Sequence, residues 1–322
     1  MTAGASLAAA RVARVGRDGA LRLRFERRGS ATVVTGCRYT LPLQVLAPVA
    51  LDDPAAVVSM LNPTGGLVGG DRLTIDVGVA EGAHAVLTTP SATRVYRAEA
   101  EETIQSVRLS IGPRAVVEWV PDHTIPFAGS ALRQTIDADL DETAGLILVD
   151  AFSAGRIALG EAWQFGVLDS ALSIRDRHGW LLHDRFVLRG RAGVARAAGP
   201  REAAMRAAGR AGGWGPQARG ERYEEAPPAP AFDGLGFAES RPYFASIAIV
   251  GAFDRDRFAA GVERLVSDGE ATRLGVAALP RRGVLVRCLA PTAPALIGAV
   301  ESCWRLARLA LLGLPPLALR KG

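Results

Sequence analysis

Five carboxylates stand out because each lies in or beside an apolar segment, where an uncompensated charge is costly: Asp71, Glu118, Asp122, Asp150 and Glu161. Glu118 sits within Val116-Val117-Glu118-Trp119, and Asp150 closes the run Leu146-Ile147-Leu148-Val149. Such a group either pairs with an arginine or lines a polar path, and Arg72, Arg94, Arg97 and Arg156 are available as partners. The histidines His84, His123, His178 and His183 form no HxH or HxxxH pair. They read as structural or surface residues, with His84 at a strand start and His178 and His183 flanking a hairpin across which they could face each other, a surface position being the favoured reading. Cys37, Cys288 and Cys303 are odd in number and form no CxxC pair, so neither a disulfide framework nor a cysteine-based zinc site is expected, and a reducing, cytoplasmic setting suits them. There is no Gly-x-Ser-x-Gly elbow and no Cys-His arrangement. Binding is therefore expected rather than catalysis.

The stretch Asn62-Pro63-Thr64-Gly65-Gly66-Leu67-Val68-Gly69-Gly70-Asp71-Arg72-Leu73 invites a phosphate-loop reading, and its chemistry refuses one. A Walker loop continues with Lys and Ser/Thr, whereas Asp71 follows Gly70 and would repel phosphate. A dinucleotide fingerprint is followed by a helix, whereas Leu73-Thr74-Ile75-Asp76-Val77 reads as a strand. Gly65, Gly66, Gly69 and Gly70 then serve either a tight turn between strands or close backbone approach to a partner or ion.

Those residues must be positioned by strands. Val107, Leu109 and Ile111 alternate with polar neighbours, as do Leu172 and Ile174. Asp176-Arg177-His178-Gly179 and the run Trp180 to Leu188 predict a hairpin, and 146–149 predicts a strand buried on both faces. Gly190 to Gly236, rich in Ala, Gly, Arg and Pro, predicts a long flexible surface loop with one possible helical turn at Ala203 to Ala208. Strands are expected at Tyr243 to Val250 and Gly283 to Leu289. Helices are expected from Asp254 to Gly269 and from Thr292 to Gly313. No internal repeat is evident. The expectation is a single domain over 1–322, mainly β, a multi-stranded and largely antiparallel layered fold with two helices towards the C-terminus. A parallel architecture is disfavoured because helices do not separate the strands.

The 322 residues, 49% hydrophobic and 22% charged, suffice for a large core. The net charge of +5 is carried by scattered arginines, with Lys321 the one lysine, which is not a phosphate-tracking stripe. Nucleic-acid binding is not expected. Nor is a secretory signal or a membrane span, because Arg11, Arg14, Arg17, Arg305 and Arg308 interrupt the apolar stretches.

The motif at Asn62 to Leu73 resembles the signature of the UreD (UreH) family of urease accessory proteins. Leu87 to Arg97, Glu118 to Phe127, and Gly155-Arg156 with Gly160-Glu161 are similar to three further blocks of that family, in the same order. The 190–236 loop has no counterpart, and the tail Pro315 to Gly322 departs from the family's ending. The resemblance implies a non-enzymatic chaperone of urease maturation, working in a complex with the helical UreF, the GTPase UreG and apo-urease. GTP chemistry would belong to UreG. Nickel would pass transiently along a polar path, with no tight metal site and no tightly bound cofactor. Scattered carboxylates hold nickel(II) weakly enough for transit, so Asp71, Glu118, Asp122, Asp150 and Glu161 become its waypoints. Trp304, on the apolar face of the second helix, either packs on the chain's own sheet or anchors UreF. The competing reading is a carbohydrate- or small-molecule-handling enzyme that uses paired carboxylates on a β scaffold.

Overall fold

The computed structural model describes residues 17–46, 53–191, 238–267 and 272–319. Apart from Gly190 and Arg191, the loop expected over 190–236 lies outside them, as do 203–208 and Gly269. Strands β1 (Asp18–Arg28), β2 (Ala31–Thr40) and β3 (Gln44–Val45) lead into a coil. The coil comprises β4 (Ala56–Leu61), β5 (Arg72–Val79), β6 (His84–Thr88), β7 (Thr93–Val95), β8 (Thr103–Ile111), β9 (Val116–Trp119), β10 (Thr124–Pro126), β11 (Ala131–Leu140), β12 (Gly145–Ser153) and β13 (Val167–Asp176). After it come β14 (Gly179–Arg189), β15 (Tyr243–Val250), helix α1 (Arg255–Ser267), β16 (Arg273–Ala278), β17 (Val284–Ala290) and helix α2 (Ala293–Leu312).

The mainly β expectation and both helices are found, but the strand directions need correction. One sheet runs β14-β13-β11-β8-β5-β1-β2, and the other runs β16-β17-β15-β12-β9-β6-β4-β3. Within the coil the chain passes from one sheet to the other and back. The neighbours β5, β8, β11 and β13 are therefore parallel, and so are β4, β6, β9 and β12. The crossover between parallel neighbours is supplied by a strand of the facing sheet, a solenoid-like solution that needs no helix. At all four sheet edges the last strand (β14, β2, β16 or β3) pairs antiparallel to its neighbour.

The two ends of each turn differ. On one side the sheets are joined by short turns at 80–83, 112–115 and 141–144. In each, the N–H of an alanine (Ala83, Ala115 or Ala144) donates to the carbonyl three residues earlier at 3.0–3.1 Å. All three alanines are buried, so successive turns stack through small side chains. The coil is thus an internal structural repeat that the sequence reading did not see. On the other side the connections are wider and carry β7 and β10, which pair parallel from Thr93↔Thr124 to Val95↔Pro126.

Layering explains the hydropathy. Leu23, Phe25, Ile75 and Val77 of the first sheet meet Ala85, Leu87, Val117, Leu146 and Leu148 of the second in the main core. The other face of the second sheet is covered by Phe258 and Val262 of α1 and by Leu296, Cys303 and Ala307 of α2. Strand β12, covered on both faces, is buried throughout, as its continuous apolar run predicted. Strands β5 and β11 alternate, because the outer face of their sheet meets solvent. Asp254 caps α1 by accepting the Arg257 N–H at 2.9 Å. Thr292 caps α2, and Gly313 ends it in the left-handed conformation.

Candidate functional site

The four sequence blocks that resemble one family occupy the same wide corner on successive turns. Asn62 to Leu73 links β4 to β5, Leu87 to Arg97 leads from β6 towards β8, Glu118 to Phe127 leads from β9 towards β11, and Gly155 to Glu161 follows β12. Main-chain bonds stack them. The Leu67 N–H donates to Arg94 O at 2.8 Å, Thr93 N–H to His123 O at 3.1 Å, and Phe127 N–H to Val95 O at 2.9 Å. The glycine loop is packed against this stack. A Cβ on Gly66 would lie 2.5 Å from Arg94 O, and one on Gly69 would lie 2.9 Å from the Ala98 Cα. Gly65 and Gly70 carry φ of 81° and 88°. Within the chain, the close approach that glycine permits is therefore to the next turn of the coil. Asp71 is buried in the same loop, where its Oδ2 accepts the Val68 N–H at 2.8 Å and its carbonyl accepts the Ile104 N–H at 2.8 Å. Arg72 opens β5 and pairs in register with Asp18.

The five carboxylates occupy four different settings. Asp71 closes the glycine loop. Glu161 is held by Arg156, whose Nε donates at 2.7 Å and whose guanidinium lies 4.2 Å over Phe127. That hydrogen bond keeps the Glu161 carboxyl below its ordinary range. Glu118 is fully buried on the α2 side of β9. There it accepts from Arg308 Nη1 at 2.5 Å and from Trp304 Nε1 at 2.5 Å, and it meets His84 Nε2 at 2.7 Å. Burial pushes this carboxyl up, but the His84 hydrogen bond and charge, with Arg308 and Trp304, outweigh it and leave it below the usual range. Arg308, 0% exposed, also pairs with Asp53. Of the arginines expected as partners, Arg156 takes Glu161. The partner of Glu118 comes instead from the far end of the chain.

Asp122 and Asp150 line a cavity of about 290 Å³ inside the wide corner, between the two sheets. Its walls include Asn62, Gly65, Gly66 and Thr89 to Arg94. Asp150 is 8% exposed, and no described arginine hydrogen-bonds to it, although the Arg287 charge acts on it. Gln134 Nε2 donates to its Oδ1 at 2.8 Å, Ser170 Oγ donates to its Oδ2 at 2.9 Å, and Gln105 Nε2 donates to Gln134 Oε1 at 3.0 Å. Burial drives Asp150 up to about 6 against these hydrogen bonds, and the Asp184 charge adds to the rise. A second cavity, of about 630 Å³, lies between this corner and α2. The two spaces share Pro90, Ser91, Ala92, Pro121, Asp122 and Ala151 as a common wall.

Glu118 lines neither space, and nor do Asp71 and Glu161. Trp304 is 7% exposed and donates to Glu118, so it packs on its own sheet. His123 is buried, 6.2 Å from the Tyr243 ring, rather than on the surface. His178 reaches Glu142 while His183 meets Ser173, so the two do not face each other. The structure adds Gln134, Gln105 and Ser170, which the sequence reading missed. They share one register row across β8, β11 and β13, and the only sequence signal for them is a polar residue at an inward position of an alternating strand. Chemically, the arrangement offers single carboxylates backed by neutral donors. Among the described residues no three His, Cys, Asp or Glu side chains come together as a metal cage. No described helix is long and apolar enough to cross a membrane.

Comparison with known proteins agrees with the blocks. The family model of the UreD urease accessory protein matches residues 17–321. A urease accessory protein UreD of Alkalilimnicola ehrlichii is 39% identical over 170 residues, covering 53% of this chain and 58% of that protein. The chain's alignment thus spans a little over half of that relative's length, and the same holds for the UreD of Klebsiella aerogenes, at 32% identity over 154 residues, 48% of this chain and 57% of that one. The UreD of Pseudomonas fluorescens is 31% identical over 301 residues, 92% of each chain. With the family model covering nearly every described residue and one relative matched almost end to end, the chain belongs to the UreD urease accessory protein family.

Proposed function

We propose that this chain is a non-catalytic scaffold of urease maturation that works in the cytoplasm with UreF, UreG and apo-urease and passes nickel ions through its wide corner. The observation that carries the reading is the pair of cavities meeting at Asp122, with Asp150 at the inner one, inside the corner built from the four family blocks. Nickel(II) accepts carboxylate, amide oxygen and water. Asp150 with Gln134 and Ser170 offers such donors, but the carboxylate is already hydrogen-bonded, so an arriving cation competes for it and leaves readily. An ion that binds Asp150 favours its ionised form, so transit weakens as pH falls below about 6. Asp71, Glu118 and Glu161 are assigned to the framework of the corner rather than to the route.

The test is co-expression with UreF, UreG and urease. Asp150→Asn and Asp122→Asn are expected to lower the nickel content of the purified urease while the chain still co-purifies with UreF. Full nickel content in the double variant would refute the route. Failure of the wild-type chain to co-purify with UreF would refute the scaffold.

A further inference from the structure

The outer cavity has a wall that the rest of the fold does not need. Residues 316–319 line it from above, opposite Asp122 and His123. This segment leaves α2 through Gly313, which has φ 64° and open space where a Cβ would stand. Two prolines, Pro315 and Pro316, come next and stiffen the backbone at the base of the segment. The segment is hydrogen-bonded to the helix at its root. Arg308 Nε donates to Pro315 O at 3.0 Å, and the Leu314 N–H donates to Arg308 O at 3.4 Å. Beyond that root, the one main-chain hydrogen bond among the described residues of 316–319 runs within the segment, from Leu319 N–H to Leu317 O at 3.2 Å. No described strand pairs with it. Leu317 and Leu319 rest half-buried on the helix-side core, over a space of about 630 Å³ that they do not fill.

The contrast with the root is mechanical. Arg308 is 0% exposed and is clamped by Glu118 and Asp53, so the end of α2 is held to the sheet. Motion is therefore confined to the part beyond Pro315, a short lever with two leucine contacts. Elements with few buried contacts and no paired backbone sit at the low end of local stability.

From this we infer that residues 316–319 form a strap that lifts from its root at Pro315 to close or open the outer cavity, controlling access of a small hydrated cation to Asp122 and, behind it, to the inner cavity. The purpose of the strap rests on the nickel route proposed above; its motion does not, and the two are tested separately.

The test uses thiol labelling of the full chain by a small cationic methanethiosulfonate reagent, with no nickel and no urease. Ala151 is buried and belongs to the wall shared by both cavities, so Ala151→Cys in a Cys37→Ser background reports on what reaches that wall. Cys288 and Cys303 are buried between the sheet and α2, and their thiols are pushed up to about 12 by burial, so their reaction reports loss of the fold. Ending the chain after Pro315, or introducing Leu317→Ser with Leu319→Ser, is expected to speed labelling at position 151 by roughly tenfold or more, since the rate follows the open population. Cys288 and Cys303 should stay unreactive. An unchanged rate at position 151 overturns the strap. A parallel rise at all three thiols also overturns it, by showing that the tail is ordinary packing.

Discussion

Glu118 and Asp150 lie on adjacent strands of the same sheet and are both buried, yet they face opposite layers and meet opposite fates. Glu118 points at α2 and is neutralised by Arg308, with His84 and Trp304 completing its shell. Asp150 points at the other sheet and meets only an amide and a hydroxyl. Burial raises both carboxyls, and only Glu118 has the charge partner that reverses the rise. A buried carboxylate with its arginine is part of the framework. One without a direct cationic partner, beside a cavity, is the waypoint proposed above for an arriving cation.

The contrast is broken or sharpened most strongly at Glu118. Glu118→Gln leaves Arg308 buried with Asp53 as its one remaining carboxylate, and should cost about 3–5 kcal/mol in urea unfolding. The double variant Glu118→Leu with Arg308→Leu should recover much of that. A loss under about 1 kcal/mol for Glu118→Gln would show that the pair is not what holds α2 to the sheet. Because the folded pKa of Glu118 is depressed, its stabilisation is present above the ordinary glutamate value and is lost as pH falls through the folded one.

Asp150 carries the opposite sign and a smaller effect. Its folded value of about 6 lies above the ordinary 3.8, so the folded state binds the extra proton and stability falls as pH rises across that window. Asp150→Asn removes this loss and should stabilise the protein above pH 7 by up to about 3 kcal/mol, with little change at pH 4. A pH series of urea midpoints for the two proteins checks it, and parallel curves would mean that Asp150 is not desolvated. Smallest is Ser170→Ala, which removes one hydrogen bond to the Asp150 carboxylate. It should cost on the order of 1 kcal/mol at pH 8 and raise the Asp150 pKa further, measurable by NMR titration of its carboxyl carbon.

These partners mark where sequence reasoning stops. Burial of Glu118 and Asp150 was legible in the apolar residues around them, and the helices in Asp254, Thr292 and Gly313. The hairpin was legible in Asp176 to Gly179, whose turn closes as His178 N–H donates to Asp176 Oδ1. Strand period, however, reports which face is wet and is silent on the direction of the neighbouring strand, so the parallel coil was read as antiparallel. The repeat was obscured because its turns, Ala80 to Ala83, Gly112 to Ala115 and Asp141 to Ala144, share only their last residue. Arg308, 190 residues from Glu118, belongs to a contact that exists only once α2 has docked. Gln134 and Ser170 gain meaning from register, which no local pattern encodes.

Each antiparallel edge strand has one more consequence. A stack of parallel coils grows by adding rungs, and a neighbouring molecule can supply the next rung as readily as the same chain can. Here both ends of both sheets finish on a strand that runs the wrong way for that addition. Among the described strands, the stack therefore presents no edge that runs as its parallel rungs do, and a further parallel rung would have to begin on a reversed strand.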